Sequence, residues 1–492
     1  MKATHFVAAA ALTPPALSNP LVSSEELQRL ITLEELIAGA QELQSHAGLG
    51  GGNRAFGGKG HNATVDWLYD TLTGLDYYDV TKQEFVELFS GGKATLSANG
   101  VDYKPGLMTY TPSGTVSAPL VVVSNLGCVA KDYPAEIEGN IALISRGECT
   151  FAQKATNAKT AGAAGAVIYN NQAGQLSGTL GGVGNYVPVV GINQEEGNAL
   201  LAAVEAGETT AELDVNSILE NRTTFNVIAE TKGGDKNNVL ALGGHSDSVE
   251  AGPGINDDGS GIIGVLTVAK ALTKFTTNNA VRFAFWSAEE FGKLGSYYYI
   301  KQVNQTESEV EKIRAYLNFD MIASPNYHYG VYDGDGSAFN LSGPPGSAQI
   351  ERDFEDFYKS KGAAFVPSEF SGRSDYAAFL ENGIPSGGLF TGAEVIKTEE
   401  EAELFGGQAG VAYDVNYHQP GDTIDNLNHE AFLLNTQSIA NSVAKYALSF
   451  DSLPKADAGV RKRAAERHRN VKRFASHTHS HSGPCGEDAL LV

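Results

Sequence analysis

The sequence is short of cysteine and of positive charge. Its 492 residues include three cysteines, and 35 Lys and Arg stand against 58 Asp and Glu, giving a net charge of −23 at pH 7. Many basic residues lie near the end of the chain, where positions 455–492 carry a net charge of +4. A strongly acidic body argues against nucleic acid and anionic membrane surfaces as partners.

Long hydrophobic runs are also missing. No stretch approaches eighteen consecutive apolar residues, so we expect no segment that spans a membrane. The N-terminus has Lys2, a short apolar run and then small residues, a pattern that predicts a signal peptide over residues 1–19. Four N-x-S/T sequons fit the same prediction of a secreted, glycosylated protein: Asn62, Asn221, Asn304 and Asn340.

Two common catalytic signatures are absent from the sequence. There is no G-x-S-x-G motif and no cysteine in a catalytic context, so covalent nucleophilic mechanisms are unsupported. The glycine-rich segment 48–60 contains Gly58-Lys59-Gly60, but no Ser or Thr follows the lysine and no strand precedes the segment. Nucleotide binding by a phosphate loop is therefore not expected.

The length and the changes in pattern predict several units. Residues 20–109 begin with helical patterns over 23–47 and 64–75 and a strand over 78–88. Residues 110–216 alternate short strands and helices, and Cys128 and Cys149 flank one of these strands, so we expect a disulfide between them. Residues 451–492 form a basic tail that contains a short histidine-rich tract.

Residues 217–450 alternate strand and helix patterns. Apolar runs over 225–230, 239–242, 281–286 and 315–319 predict strands, and amphipathic segments between and after them predict helices. This order predicts an α/β domain whose mainly parallel sheet carries helices on both faces.

Acids and a histidine follow three of these predicted strands. His245, Glu289, Glu290 and Asp320 lie just beyond them, and ligands of such sheets bind beyond the carboxyl ends of the strands. A dinuclear zinc site needs nitrogen and oxygen donors with one carboxylate shared by both ions. A single histidine or a Glu-Glu pair is usually structural, but their joint occurrence favours a metal site. Asp257 and Asp258 both fit the shared position.

Six motifs carry a resemblance to a known family. They are G-x-H-x-D at 243–247, PGINDDGSG at 253–261, AEEFGKLGS at 288–296, LNFDMI at 317–322, SGRSDY at 371–376 and YHQPGDT at 417–423. From about residue 24 to 450 the chain resembles the secreted zinc aminopeptidases of bacteria and fungi, in particular the fungal leucine aminopeptidases of the aminopeptidase Y type. Segment 110–216 resembles their inserted protease-associated domain.

The resemblance implies a metal site with two zinc ions. It implies that His245 and Asp320 hold one ion, that Glu290 and His418 hold the other, and that Asp257 is shared, the last by alignment of the motif. It also implies a cis peptide bond between Asp257 and Asp258.

The resemblance further implies roles around the metals. Glu289 is the expected general base and acid, and Tyr417 is expected to stabilise the oxyanion. Asp247 and Asp422 are expected to orient the ligand histidines. Segment 387–394 resembles the pocket wall of the family, with Phe390 facing a hydrophobic substrate side chain.

We therefore expect a monomeric extracellular enzyme that removes leucine and other hydrophobic residues from peptides with a free N-terminus. The alternatives are a zinc carboxypeptidase or glutaminyl cyclase on the same fold, and a non-catalytic receptor that has lost its metals. A carboxypeptidase would need an arginine clamp, for which Arg373 is the one candidate, and we interpret this residue as an ion-pair partner. The complete ligand set argues against the cyclase and the receptor.

Overall fold

The computed structural model describes residues 19–172, 174–455, 459 and 461–466. The predicted signal peptide, except its last residue, and most of the predicted tail lie outside the described residues. Within the described part we number twelve α-helices and fifteen strands in chain order, and residues 461–466 are also helical. None of these helices is long and apolar enough to cross a bilayer.

The N-terminal region supplies three helices: α1 (Ser24–Arg29), α2 (Leu33–Leu49) and α3 (Lys59–Gly74). The sequence predicted helical structure over 23–47, and the structure divides this segment between two helices, α1 and α2. The chain breaks after α1 because Thr32 has an extended backbone and its hydroxyl accepts a hydrogen bond from the Glu35 N–H at 3.3 Å, which starts a new helix.

After β1 (Tyr78–Ala98) and the short β2 (Val101–Tyr103), the chain forms an inserted module. Cys128 and Cys149 form the expected disulfide, with their Cα atoms 5.7 Å apart. Strands β4, β5, β6 and β8 pair in parallel in that order. The elements of the module are β3 (Gly106–Thr109), β4 (Gly114–Val122), β5 (Ile141–Ser145), α4 (Phe151–Thr160), β6 (Gly165–Tyr169), β7 (Gly178–Thr179), β8 (Val189–Ile192) and α5 (Gln194–Ala206).

A long two-stranded ribbon links this module to the rest of the chain. Strand β9 (Thr210–Thr231) pairs antiparallel with β1 along the whole of β1, from Tyr78 opposite Thr231 to Ala98 opposite Ala211. One end of β9 pairs with β4 in the module, and its other end pairs with β11 (Asn279–Trp286) of the second sheet region. The predicted strands 78–88 and 225–230 are thus only the part of the ribbon nearer the second sheet region.

The second sheet region confirms the predicted α/β class. Its strands are β10 (Asp235–His245), β11, β12 (Ile313–Phe319), β13 (Gly330–Tyr332), β14 (Val366–Ser368) and β15 (Ser386–Phe390). Its centre is parallel, in the order β11-β10-β12-β15. The flanking pairs β9–β11 and β13–β15 are antiparallel, so the sheet as a whole is mixed.

Helices cover both faces of this region. Alternate residues of a strand point to opposite faces, and accordingly Leu240 and Leu242 pack with α6 in one core while Ala241 packs in another with Trp286 and Phe379. The helices are α6 (Gly259–Leu272), α7 (Leu294–Val303), α8 (Glu307–Lys312), α9 (Ser347–Lys361), α10 (Tyr376–Leu380), α11 (Glu399–Phe405) and α12 (His429–Leu448). Short 3-10 turns lie at Ala130–Asp132, Ala135–Ile137 and Ile424–Asn426.

Candidate metal centre

The carboxyl ends of β10, β11 and β12 bring the predicted ligands together. His245 is the last residue of β10 and not, as expected, a residue beyond it. Glu289 and Glu290 follow β11, and Asp320 directly follows β12. Because the three strands are parallel neighbours, their side chains converge at one edge of the sheet.

Left-handed backbone turns direct the side chains at this edge. Ala288, Met321 and His418 have φ angles of 57°, 54° and 56°, a region that residues other than glycine seldom occupy. Such conformations cost about 1–3 kcal/mol each and cluster at functional sites. Two of the three residues adjoin Glu289 and Asp320, and the third is itself a predicted ligand.

Asp257 lies between the two predicted ligand histidines. Its Oδ1 is 3.2 Å from His245 Nε2, and its Oδ2 is 3.1 Å from His418 Nε2. Asp320 Oδ1 lies 3.6 Å from His245 Nε2, and Glu290 Oε2 lies 3.0 Å from His418 Nε2. The five side chains therefore form two groups that share one carboxylate.

The neighbouring Asp258 has a different environment. Its Oδ2 accepts the His245 main-chain N–H at 3.0 Å, and its Oδ1 accepts the N–H groups of Gly261 and Met321 at 2.9 and 3.0 Å. Asp258 also caps helix α6. Of the two acids left open by the sequence, Asp257 is thus the one that faces both histidines. The peptide bond between them is cis, as the resemblance implied.

The chemistry of this group of donors fits bound cations. Unprotonated imidazole Nε2 and carboxylate oxygen atoms are all electron-pair donors, and here they face each other inside the protein. His245 and Asp257 are 1% and 4% exposed. Crowded buried donors repel one another unless a proton or cation lies between them. Two nitrogens with three carboxylates is a donor set that suits zinc.

The pKa values of two groups at the site, His245 and Glu289, are both raised, but by different causes. Burial opposes protonation of His245, but Asp320, Asp247 and Asp257 outweigh it and raise the pKa of this imidazole. Burial raises the pKa of Glu289 well above that of an ordinary glutamate, an effect that His245 and Lys293 only partly reduce. A carboxyl group with a raised pKa is suited to taking up and releasing a proton.

Asp247 and Asp422 support the centre in different ways. Asp247 Oδ1 lies 3.7 Å from His245 Nδ1 and accepts the Glu289 main-chain N–H at 3.0 Å, so it faces both a predicted ligand and the predicted base. Asp422 was expected to orient a ligand histidine. Its oxygens accept the main-chain N–H groups of Asn256 and Asp257 at 2.9 and 3.0 Å, so Asp422 holds the segment that carries Asp257.

Two neighbours of the centre received no role from the sequence. Ser374 donates a hydrogen bond from its hydroxyl to Asp320 Oδ2 at 2.5 Å. Asp375 is fully buried, and burial raises its pKa to about 7. Both belong to the motif SGRSDY. The motif was recognised in the sequence, but the position of these two residues beside the metal centre is evident only from the fold.

A cleft opens beside His245 and Glu289. It is lined by Phe390 and Tyr417, together with Met321, Ala393 and Arg373. Arg373 donates hydrogen bonds to both oxygens of Glu394 at 2.9 and 3.2 Å and to the Tyr417 hydroxyl at 3.2 Å. The predicted ion pair is present, and it also fixes the position of Tyr417.

The four predicted glycosylation sites all lie on the surface. Asn62, Asn221, Asn304 and Asn340 are exposed.

Comparisons with known proteins agree with this geometry. Residues 226–443 match Peptidase family M28, and residues 116–200 match the PA domain. The chain is 55% identical to a probable leucine aminopeptidase 2 of Aspergillus fumigatus over 99% of this chain and 98% of that protein. It is 53% identical to leucine aminopeptidase 2 of Trichophyton rubrum over 88% of each chain.

Solved structures show the same fold. An aminopeptidase from Aneurinibacillus sp. strain AM-1 aligns with a TM-score of 0.69 and 28% identity, covering 88% of this chain and 98% of that one. A zinc aminopeptidase from Bacillus subtilis aligns with a TM-score of 0.64 and 25% identity, covering 87% and 98%. The predicted family and fold class are confirmed, and the names of the relatives agree with the predicted metallo-aminopeptidase activity. On its similarity to full-length relatives and on its matched segment, this chain belongs to peptidase family M28.

Proposed function

We propose that this member of the family is a zinc aminopeptidase with two metal ions, which releases leucine and other hydrophobic residues from the N-termini of peptides. The observation that carries the proposal is the position of Asp257, whose two oxygens lie 3.2 and 3.1 Å from the Nε2 atoms of His245 and His418. A carboxylate held between two histidines in this way suits two cations better than one.

In the proposed site, His245 and Asp320 hold one zinc ion, Glu290 and His418 hold the other, and Asp257 is shared. When bound, a pair of zinc ions supplies Lewis acidity toward the scissile carbonyl and makes a water molecule nucleophilic at neutral pH. His245, Asp257 and Asp320 are buried, and the side chains of Glu290 and His418 are 1% and 10% exposed, which limits access of solvent to the donors.

The chain's own residues provide the proton transfers. Glu289 removes a proton from the attacking water and later delivers it to the leaving amine. Asp247 holds the main chain of Glu289 in place through its hydrogen bond. The Tyr417 hydroxyl donates a hydrogen bond to the developing oxyanion, and Arg373 orients that hydroxyl.

The charges at the cleft favour the amino end of a peptide. Several carboxylates surround the centre and would attract an ammonium group, whereas a carboxylate terminus would need a free cationic clamp. Arg373 is the candidate clamp, but its guanidinium already forms two hydrogen bonds to Glu394. The cleft wall at Phe390 supports an apolar side chain as the residue to be released.

Hydrolysis of two matched substrates tests the proposal. The purified enzyme should hydrolyse Leu-p-nitroanilide and should leave the same compound with an acetylated amino group intact. A parallel assay with an N-terminal glutaminyl peptide tests for cyclisation. Cleavage of only blocked peptides would refute an aminopeptidase, and cyclisation without hydrolysis would favour the cyclase.

We also propose that the protein is secreted, monomeric and glycosylated at its exposed sequons. Exposure of all four asparagines supports glycosylation, because glycans need accessible acceptors. Mass spectrometry of the protein from culture medium, with and without glycosidase treatment, measures glycosylation. Light scattering measures the oligomeric state. Retention inside cells without glycans would contradict the proposal.

A further inference from the structure

A fully buried arginine lies behind the metal centre. Arg54 belongs to the glycine-rich segment 48–60, most of which connects α2 to α3 and for which no function was predicted. It is 0% exposed. A charged group at such a depth is costly to bury unless its donors all find partners.

The guanidinium of Arg54 binds three main-chain carbonyls of one loop. Its Nε donates to the Pro253 oxygen at 2.9 Å, its Nη2 donates to the Gly254 oxygen at 2.5 Å, and its Nη1 donates to the Ser246 oxygen. The main chain adds two contacts: the Arg54 N–H donates to Ser248 Oγ at 2.8 Å, and its carbonyl accepts the Ser248 N–H at 3.3 Å.

The bound loop joins two predicted metal ligands. Residues 246–256 begin directly after His245 and end directly before Asp257, and they contain no helix or strand residue. Regular secondary structure therefore does not fix their path. The guanidinium of an arginine is planar, and its N–H donors point in fixed directions. Because Arg54 binds carbonyls near both ends of this loop, it constrains the distance between the two predicted ligands.

The charge of Arg54 also suits its position. Burial lowers the pKa of its guanidinium, while the carboxylates of Asp247, Asp422, Asp258 and Asp257 favour its charged form. The negative charges of these acids repel one another. A fixed positive charge behind the loop offsets part of that repulsion.

We propose that Arg54 is a positioning residue, which holds loop 246–256 and its two flanking ligands in metal-binding geometry before zinc is bound. The inference rests on the proposed zinc centre. Outer partners of metal ligands typically change metal affinity about 10- to 100-fold. The effect should therefore appear in the zinc dissociation constant itself, apart from any change in activity.

Two substitutions of Arg54 distinguish the effect of its guanidinium geometry from the effect of its positive charge. In metal-depleted protein, zinc affinity is measured by competition with a chelating dye. Arg54→Met removes both charge and fork and should weaken zinc binding about 100-fold. Arg54→Lys keeps the charge but cannot bind three carbonyls in a fixed fork, and it should weaken binding about tenfold.

Lys397→Met is the matched control. Lys397 is 1% exposed, and its Nζ donates to the carbonyls of Tyr327 and Gly406 at 2.7 and 2.6 Å, so it too is a buried cation bound to main-chain oxygens. The main-chain oxygens that Lys397 Nζ binds all lie outside loop 246–256. Its loss should lower the unfolding temperature of the protein and leave zinc affinity unchanged.

The outcomes are distinct. Wild-type zinc affinity in Arg54→Met, or an equal loss of affinity in Lys397→Met, would overturn the inference. If Arg54→Met does not fold, Arg54→Lys decides, and unchanged affinity in that variant counts against the positioning role. A wild-type protein that binds no zinc would instead refute the proposed function, and that result is read without any variant.

Discussion

Within the described residues, the inserted module and the second sheet region each contain four neighbouring parallel strands, and the candidate metal centre lies at the edge of the second. In the inserted module, polar groups at the strand ends are satisfied by neighbours: Arg146 Nη1 donates to Asn170 Oδ1 at 3.2 Å, and Asn170 Nδ2 donates to the Gly174 carbonyl at 3.1 Å. In the second sheet region, here called the catalytic region, the strand ends present His245, Asp320 and two glutamates. His245 Nε2 lies 3.6 Å from Asp320 Oδ1 and 4.0 Å from Glu289 Oε2.

The carboxyl edge of a parallel sheet can hold a functional site, but the edge alone is not sufficient to form one. Both regions have strands, helices and loops in similar order. What distinguishes the catalytic region is an excess of buried acceptors over donors at one point, and that excess favours cations. Substitutions in the catalytic region should therefore lower zinc content or activity, whereas substitutions in the inserted module should change both very little.

The largest expected effect follows loss of the shared carboxylate. Asp257→Ala should empty both zinc positions and abolish hydrolysis of Leu-p-nitroanilide, because each ion loses a ligand and the repulsion between them is no longer offset. Elemental analysis of the purified variant measures this.

Asp132→Ala in the inserted module is the control for the shared carboxylate. Asp132 is also a buried acid, which accepts the Val129 N–H at 3.1 Å. Its loss should cost stability while zinc content stays at the wild-type level. A full metal complement in Asp257→Ala would contradict the bridging role.

The next effect separates the base from the ligands. Glu289→Gln should reduce kcat by about 10²- to 10⁴-fold, the usual contribution of a general base, with zinc content unchanged. Steady-state kinetics and metal analysis on the same sample make the test. Loss of zinc together with activity would show that Glu289 is a ligand.

Acid should release zinc from the catalytic region. The pKa of His245 is raised by its acidic neighbours, so below that pKa the imidazole takes up a proton and can no longer donate to a metal. Zinc affinity should accordingly fall with falling pH, by about tenfold per unit for each displaced proton. Chelator competition from pH 8 to pH 5 measures this, and a flat profile would be inconsistent with a histidine ligand.

A smaller effect concerns specificity. Phe390→Ala should reduce the preference for leucine over alanine substrates by about 10-fold or more, since one apolar contact in a pocket is worth about 1–3 kcal/mol. The ratio of kcat/KM values for Leu- and Ala-p-nitroanilide is the readout. An unchanged ratio would place the side-chain pocket elsewhere.

The smallest effect on activity should come from the inserted module. The double substitution of Cys128 and Cys149 by serine removes the disulfide and should cost about 2–4 kcal/mol of stability. Zinc content and kcat should stay within about twofold of wild type. Calorimetry with activity assays checks this, and a large fall in kcat in folded protein would show that the module contributes to catalysis.

Much of the catalytic region was predictable because its signals are local. The apolar runs before His245 and Asp320 identify buried strands, and parallel strands must bring their ends together. The motifs then name the residues. The choice between Asp257 and Asp258 could not be made from the residues alone, because it depends on which carboxylate is bound to main-chain N–H groups.

Other features depend on partners far away in sequence. Strands β1 and β9 are much longer than predicted because each supplies hydrogen bonds to the other across residues with little strand propensity, such as Gly91 and Gly92. The burial and the contacts of Arg54 could not be predicted from its glycine-rich segment, because its partners lie about 200 positions later in the chain. No local pattern reports such contacts.

Anomalous diffraction at the zinc edge, from crystals of the wild-type protein, tests whether Asp257 is shared by two zinc ions. If it is, we expect two peaks about 3.5–4 Å apart, one beside His245 and Asp320 and one beside His418 and Glu290, both in contact with Asp257. A single peak, or peaks that do not contact Asp257, would refute the shared position.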